Sequence, residues 1–219
     1  MAPSTRDRPA KPPLSVEAVI GAGLRVLREE GIDAVSMRRV AAELDTGPAS
    51  LYVYVQNRQD LLDQMFDAVV GEVDLGEKPN PRRWRKQLED LLTRIRDAMD
   101  KYPGIARVPL ANIPTGPNAT RGADHVLGIL RAGGVDDQAA AWFVDVVFLY
   151  VNAASFETSI YVEEGTAEET QEAVNEAFTS LDPDEYPNIA ALMPHLVSGE
   201  GDERFKFGLR LMINGLEGR

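Results

Sequence analysis

SMRRVAAELDTGPASLYVYVQNR, residues Ser36 to Arg58, is the stretch whose reading decides the fold. Ser36 is an N-cap, and Met37, Val40, Ala41 and Leu44 recur at helical spacing, which predicts a short helix from Met37 to Leu44. Asp45-Thr46-Gly47-Pro48 is a turn, with Pro48 suited to the first turn of the next helix. That third helix is expected to run to about Val55. Asn57 caps a fourth, from Arg58 to about Leu75, with Leu61, Leu62, Met65, Phe66 and Val69 inward. Two short helices joined by a tight turn, a basic pair at the start of the first and two tyrosines on the second, suit the placing of a helix in a DNA major groove.

Working outward, residues 14–30 predict a preceding helix. Ser15 is its N-cap, Val16, Val19, Ile20, Gly23, Leu24 and Leu27 are its apolar face, and Gly31 stops it. The MAPSTRDRPAKPPL arm before it reads as flexible, and its Arg6, Arg8 and Lys11 read as a tail rather than a DNA contact. Downstream, GEKPNP (76–81) marks a border, and helices are expected from Pro81 to Lys101 and from Asn118 to Ala132. Pro103, Pro109, Pro114 and Pro117 break the chain between them. Residues 136–164 are the longest apolar-rich stretch and run for nearly 30 residues without a glycine or proline breaker, which favours a buried helix over a strand. Thr166 with Glu169 forms a capping box for an acidic helix. Asp182-Pro183 starts a turn or helix through about Val197, and a last helix covers residues 203–217. The whole reads as all-α. It divides into a flexible arm (1–13), a helix-turn-helix head (14–75) and a larger helical ligand-binding and dimerisation domain (81–219).

The chain has 219 residues, 44% hydrophobic and 26% charged, with no cysteine. Disulfides, thiolate catalysis and Cys-bound zinc are thereby excluded. No apolar run of about 18 residues is evident, so no transmembrane helix is expected, and no secretory signal is visible at the start. Together these predict a cytoplasmic protein, at the nucleoid when bound to DNA. The net charge is −12 but unevenly placed: residues 1–60 hold eight basic and eight acidic residues, and none of Ala132 to Glu203 is Lys or Arg. A neutral head on an acidic body assigns DNA to the head alone.

The pattern Leu51-Tyr52, Val55, Asn57-Arg58, Leu61-Leu62, after a helix ending at Gly31 and the SMRRVAAEL helix, resembles the TetR family of transcriptional regulators. The stretches LRAGG (130–134), YPNIAALMPHL (186–196) and DERFKFGLRLMINGL (202–216) carry a weaker resemblance over the C-terminal half. The resemblance implies a homodimeric repressor on a palindromic double-stranded DNA operator, released by a small-molecule effector. Asp45 stands where the family usually has glycine, although Asp tolerates left-handed backbone. Gln56 stands where a lysine is common.

The candidate DNA-binding residues are Ser36, Arg38, Thr46, Pro48, Ala49, Ser50, Tyr52, Val53, Tyr54 and Arg58. Arg38 is assigned a base edge, because arginine pairs bidentately with guanine. Ala49 and Ser50 sit where the third helix approaches bases. Ser36, with the backbone N–H groups after it, can meet a phosphate. Tyr52 and Tyr54 reach phosphates through their hydroxyls, and Arg58 is a phosphate anchor. The plain alternative for Arg38 and Arg39 is a solvated helix face, and for Tyr52 half-buried packing.

For the effector, the candidate lining is Met99, Tyr102, Ile105, Trp142, Phe143, Tyr150, Asn152 and Phe156, apolar and aromatic with a few polar groups. No cofactor or metal is expected, since His125 and His195 are the only histidines and do not supply a ligand set. The tetracycline–magnesium repressors carry pocket histidines, and Pro109 falls near one of those positions, so a metal–tetracycline effector is disfavoured. The long helix 138–163 and the last helix are the expected dimer elements, forming a four-helix bundle across a two-fold axis. The competing readings are a helical ligand-binding or adaptor protein with a degenerate head and, behind it, an enzyme. No nucleophile–histidine context or phosphate-cradling glycine loop supports the enzyme.

Overall fold

The computed structural model describes residues 13–164, 167–196, 198–199 and 201–216. All but Pro13 of the N-terminal arm, and the Thr166 half of the expected capping box, lie outside them. Among the described residues the regular structure is helical: α1 (Val16–Glu30), α2 (Met37–Glu43), α3 (Arg58–Gly71), α4 (Trp84–Asp100), α5 (Arg107–Ala111), α6 (Pro117–Ala132), α7 (Asp137–Glu164), α8 (Ala167–Thr179), α9 (Pro187–Leu196) and α10 (Gly201–Asn214).

The capping residues act as the local chemistry predicts. The hydroxyls of Ser15 and Ser36 and the amide oxygen of Asn57 accept from the N–H of Ala18, Arg39 and Asp60, each three residues on. Gly31, at φ 81°, ends α1 with its N–H on the Leu27 carbonyl. Asp45 is the only described residue other than glycine at positive φ, 49°. Its N–H meets the Ala42 carbonyl and the Thr46 N–H meets that of Ala41. This is a Schellman stop, and it explains how an aspartate fills a position where glycine is the easier choice.

The stretch expected to be the third helix is instead a 3-10 run, Pro48–Val53. Three-residue closures (Ser50 N–H to Gly47, Tyr54 N–H to Leu51) dominate this short segment between two turns. α3 also stops four residues before Leu75, at Gly71, and α4 begins at Trp84 after a turn at Pro81.

The core runs without a gap from the head into the body. Leu27, Leu51, Leu61 and Met65 are fully buried in the first part, and Leu88, Leu91, Ile129 and Val147 in the second. α3 packs on α1 and also on α4, α5 and α6, so it is shared by both. Its Asp67 carboxylate accepts from the backbone N–H of Asn118 and Ala119, at 3.0 and 2.9 Å, capping the start of α6. Asp67→Ala leaves those donors without a partner. It is expected to lower stability by about 1–2 kcal/mol, read as a urea midpoint shift at unchanged slope. An unmoved midpoint would show that the cap contributes nothing.

In the body α7 packs against α4, α5, α6 and α10. Arg96 of α4 is 7% exposed, lies over the Phe205 ring at 4.3 Å and donates to Asp97 and Asp202. The Ser155 hydroxyl of α7 donates to Asp100 at 2.6 Å. Burial pushes the Asp100 carboxyl up despite that hydroxyl. By length and composition α7 is long and apolar enough to cross a membrane over Asp137–Ile160, at mean hydropathy 1.6, which corrects the reading that no run of about 18 residues is that apolar; the core helix of a water-soluble fold has the same composition. Asp145, Asn152, Ser155 and Glu157 break up any continuous apolar run while the average stays high. One face of the helix is built into the protein, with Val147 and Val151 fully buried.

Candidate functional site

The head presents one outward face built from α2 and the 3-10 run. Leu51 (0% exposed) and Val55 (1%) fasten the run to the core. With those two inward, Pro48, Ala49, Tyr52 and Val53 must project outward, and all four are exposed. Val53 at 80% and Tyr52 at 57% are among the most exposed large side chains of the protein. An apolar valine left in water beside a tyrosine is the kind of exposure that marks a contact surface. Thr46 and Ser50 are half-buried, and their hydroxyls lie 3.3 Å apart.

The two arginines of α2 separate cleanly. Arg39 is engaged: its Nε donates to Glu30 at 2.8 Å and its Nη1 to Glu43 at 3.1 Å, while Arg25 donates to the same Glu43. The hydrogen bonds from Arg25 and Arg39 hold the Glu43 carboxyl below its usual range. Arg38, one residue earlier, is exposed and pairs with no described residue. It is the cation this face can offer to a ligand. Ser36 uses its hydroxyl oxygen to cap α2, which leaves its O–H free to donate.

Two expected contacts are reassigned. The Tyr54 hydroxyl donates to the Leu14 carbonyl at 2.7 Å, tying the 3-10 run to the start of α1 instead of facing a phosphate. Arg58 donates from Nε to the Val35 carbonyl at 2.6 Å and from Nη2 to the Ile32 carbonyl at 2.9 Å. Its fork closes the turn between α1 and α2. Arg58→Ala is therefore expected to cost about 1.5–3 kcal/mol of stability, since the donor is charged. It should leave the salt dependence of DNA binding unchanged. A phosphate anchor would behave oppositely, reducing the slope of log affinity against log salt by about one per contact at full stability.

Below the head, a cavity of about 290 Å³ lies between α3, α4, α6 and α7, roofed by the loop after α5. Its walls include Phe66, Val70, Ile95, Pro109, Val144 and Phe148. Of the expected lining residues only Asn152 is there. Met99 and Ile105 are fully buried core, and Phe143 is buried with them. Tyr102 donates to Glu72 and takes Arg28 over its ring. Tyr150 stacks on Phe205, at 5.6 Å between centroids. Trp142 is 62% exposed at the surface, and Phe156 is partly buried against the core. The helical period of α7 carried a usable signal: Val144, Phe148 and Asn152 follow one another at four-residue spacing. Phe66 is on the inner face of α3, as its spacing predicts, but nothing local to it shows that it also reaches a cavity.

Residues 19–65 match the family model of bacterial regulatory proteins of the tetR family, and residues 78–219 match that of the tetracyclin repressor-like C-terminal domain. The HTH-type transcriptional repressor DrrR1 of Streptomyces coeruleorubidus is 31% identical, over 96% of this chain and 80% of its own. The class G tetracycline repressor of Vibrio anguillarum is 28% identical, over 91% of each chain. Among solved structures, the TetR family protein ActR of Streptomyces coelicolor in complex with actinorhodin superposes at a TM-score of 0.86 with 36% identity, over 94% of this chain and 97% of that one.

Proposed function

The chain belongs to the TetR family of DNA-binding transcriptional regulators, and from that premise we propose that it is a homodimeric repressor which leaves a palindromic operator when a small molecule fills the cavity under α3. On this reading residues 14–75 are the DNA-binding unit and 81–219 the ligand-binding and dimerisation unit, and the protein works in the cytoplasm. Arg38 reads a base edge. Pro48, Ala49, Ser50, Tyr52 and Val53 face the groove, with Ser36 and Thr46 at its phosphates.

The observation that carries the reading is the shared helix. α3 walls the cavity with Phe66 and Val70, and it holds the head through Leu61, Leu62 and Met65. A ligand that favours one setting of α3 therefore has a physical route to the spacing of two heads. ActR, which has this fold, has been crystallised with actinorhodin and with (S)-DNPA. Dimerisation is supported by an apolar stripe that a lone chain leaves in water. It comprises Trp142, Val146, Leu149 and Ile160 on α7, with Phe207 and Leu211 on the adjoining α10.

The test is fluorescence anisotropy on DNA from the gene's own upstream region against scrambled DNA, at two salt concentrations. Selective, salt-sensitive binding is the expected result. Equal binding to both, by folded dimer, together with no enriched sequence in a selection from genomic fragments, would overturn the reading.

A further inference from the structure

The polar equipment of the cavity is sparse and one-sided. Of its lining side chains only Asp145 and Asn152 are polar, and neither Lys, Arg nor His is among them. Asn152 is 6% exposed, lines the cavity, and its amide has no hydrogen-bond partner among the described residues. Its polar atoms are not sealed inside the protein but open onto the cavity, so the cavity is the side from which a hydrogen-bond partner comes. Asp145 is exposed at the rim and likewise pairs with no described residue. The two are seven residues apart on α7, two turns of the same face, or about 10 Å along the helix axis.

We infer that the effector is an amphipathic cation: an apolar body that fills the cavity, an ammonium group at the Asp145 end, and a hydrogen-bonding group about 10 Å away that meets the Asn152 amide. The inference rests on the effector reading above and adds the chemical class to it. The surroundings favour the same sign of charge. No residue from Ala132 to Glu203 is Lys or Arg, so α7, α8 and α9 carry no permanent positive charge to meet an anion, and their one histidine, His195 on α9, is not among the cavity's lining residues. The adjoining cleft shares Phe66, Pro109, Ile113 and Pro114 with the cavity and carries Glu17, Asp60, Asp63 and Asp67. A cation approaching by that side moves through negative potential, and an anion is held off. A carboxylate ligand would place its charge against an unpaired aspartate.

The experiment uses the full-length dimer and matched probes on naphthalene, biphenyl and anthracene frames, each as primary amine, alcohol and carboxylate, titrated calorimetrically. The amine of the best-fitting frame is expected to bind about tenfold more tightly than its alcohol, and the carboxylate more weakly than both. Asp145→Asn should remove the amine's advantage and leave the alcohol's affinity in place. Asn152→Leu should weaken amine and alcohol alike. A carboxylate that binds as well as the amine, or an amine preference that survives Asp145→Asn, overturns the cation assignment while leaving the effector cavity standing. If no probe on any frame binds the folded dimer, the cavity is not an effector site and both readings fall together.

Discussion

Arg38→Ala is expected to weaken operator binding by about 2–6 kcal/mol, at least roughly thirtyfold, with no change in melting temperature or dimerisation. A bidentate arginine–guanine pair contributes about 1–3 kcal/mol of discrimination, and a two-fold dimer makes it twice. Stability is spared because Arg38 is exposed and joined to no described residue. The neighbouring Arg39→Ala is the internal control. It removes contacts to Glu30 and Glu43 that hold α2 against α1. One is exposed and the other half-buried, so the loss is small and falls on folding. Anisotropy titrations of both variants on the operator and on base-substituted half-sites separate the roles. An Arg38→Ala protein that binds the operator as well as the parent would remove Arg38 from base recognition. One that weakens equally on every sequence would make it a phosphate contact.

Trp142→Asp should convert the dimer to a monomer and, by removing the second half-site, abolish measurable operator binding at the concentrations where the parent saturates. In the isolated chain Trp142 is 62% exposed, so substitution there costs little. In a dimer closed through α7 and α10 it places a carboxylate in an apolar seam without a partner, and two-fold symmetry does so in both chains. Each such unpaired charge costs about 3–5 kcal/mol, enough to dissociate an ordinary dimer. Phe207→Asp, on α10 at 65% exposure, is expected to give the same result from the other helix. Sedimentation velocity reads the oligomer, and circular dichroism confirms that the monomer is folded. A Trp142→Asp protein that stays dimeric would move the interface off this face of α7.

The sequence alone determined what short-range chemistry dictates. Ser15, Ser36 and Asn57 cap helices through atoms three residues away, and Gly31 stands at a helix end. The 3.6-residue period sorted Leu61, Leu62, Met65, Phe66 and Val69 inward, and all five are buried. The head was legible for the same reason: its family pattern is a run of local spacings. The tertiary structure decided everything that depends on residues far apart in the chain. Tyr54 answers to Leu14, 40 positions away, Arg58 to Val35, 23 away, and Asp67 to Asn118, 51 away. No local rule indicates which carbonyl a long side chain will find. The cavity was the least legible part, because aromatic residues such as Phe143 and Phe148 carry the same apolar signal whether they close a core or line a void. Which of the two they do depends on how α3, α4, α6 and α7 cross. That is set by the packing of whole helices and not by any residue's own neighbours.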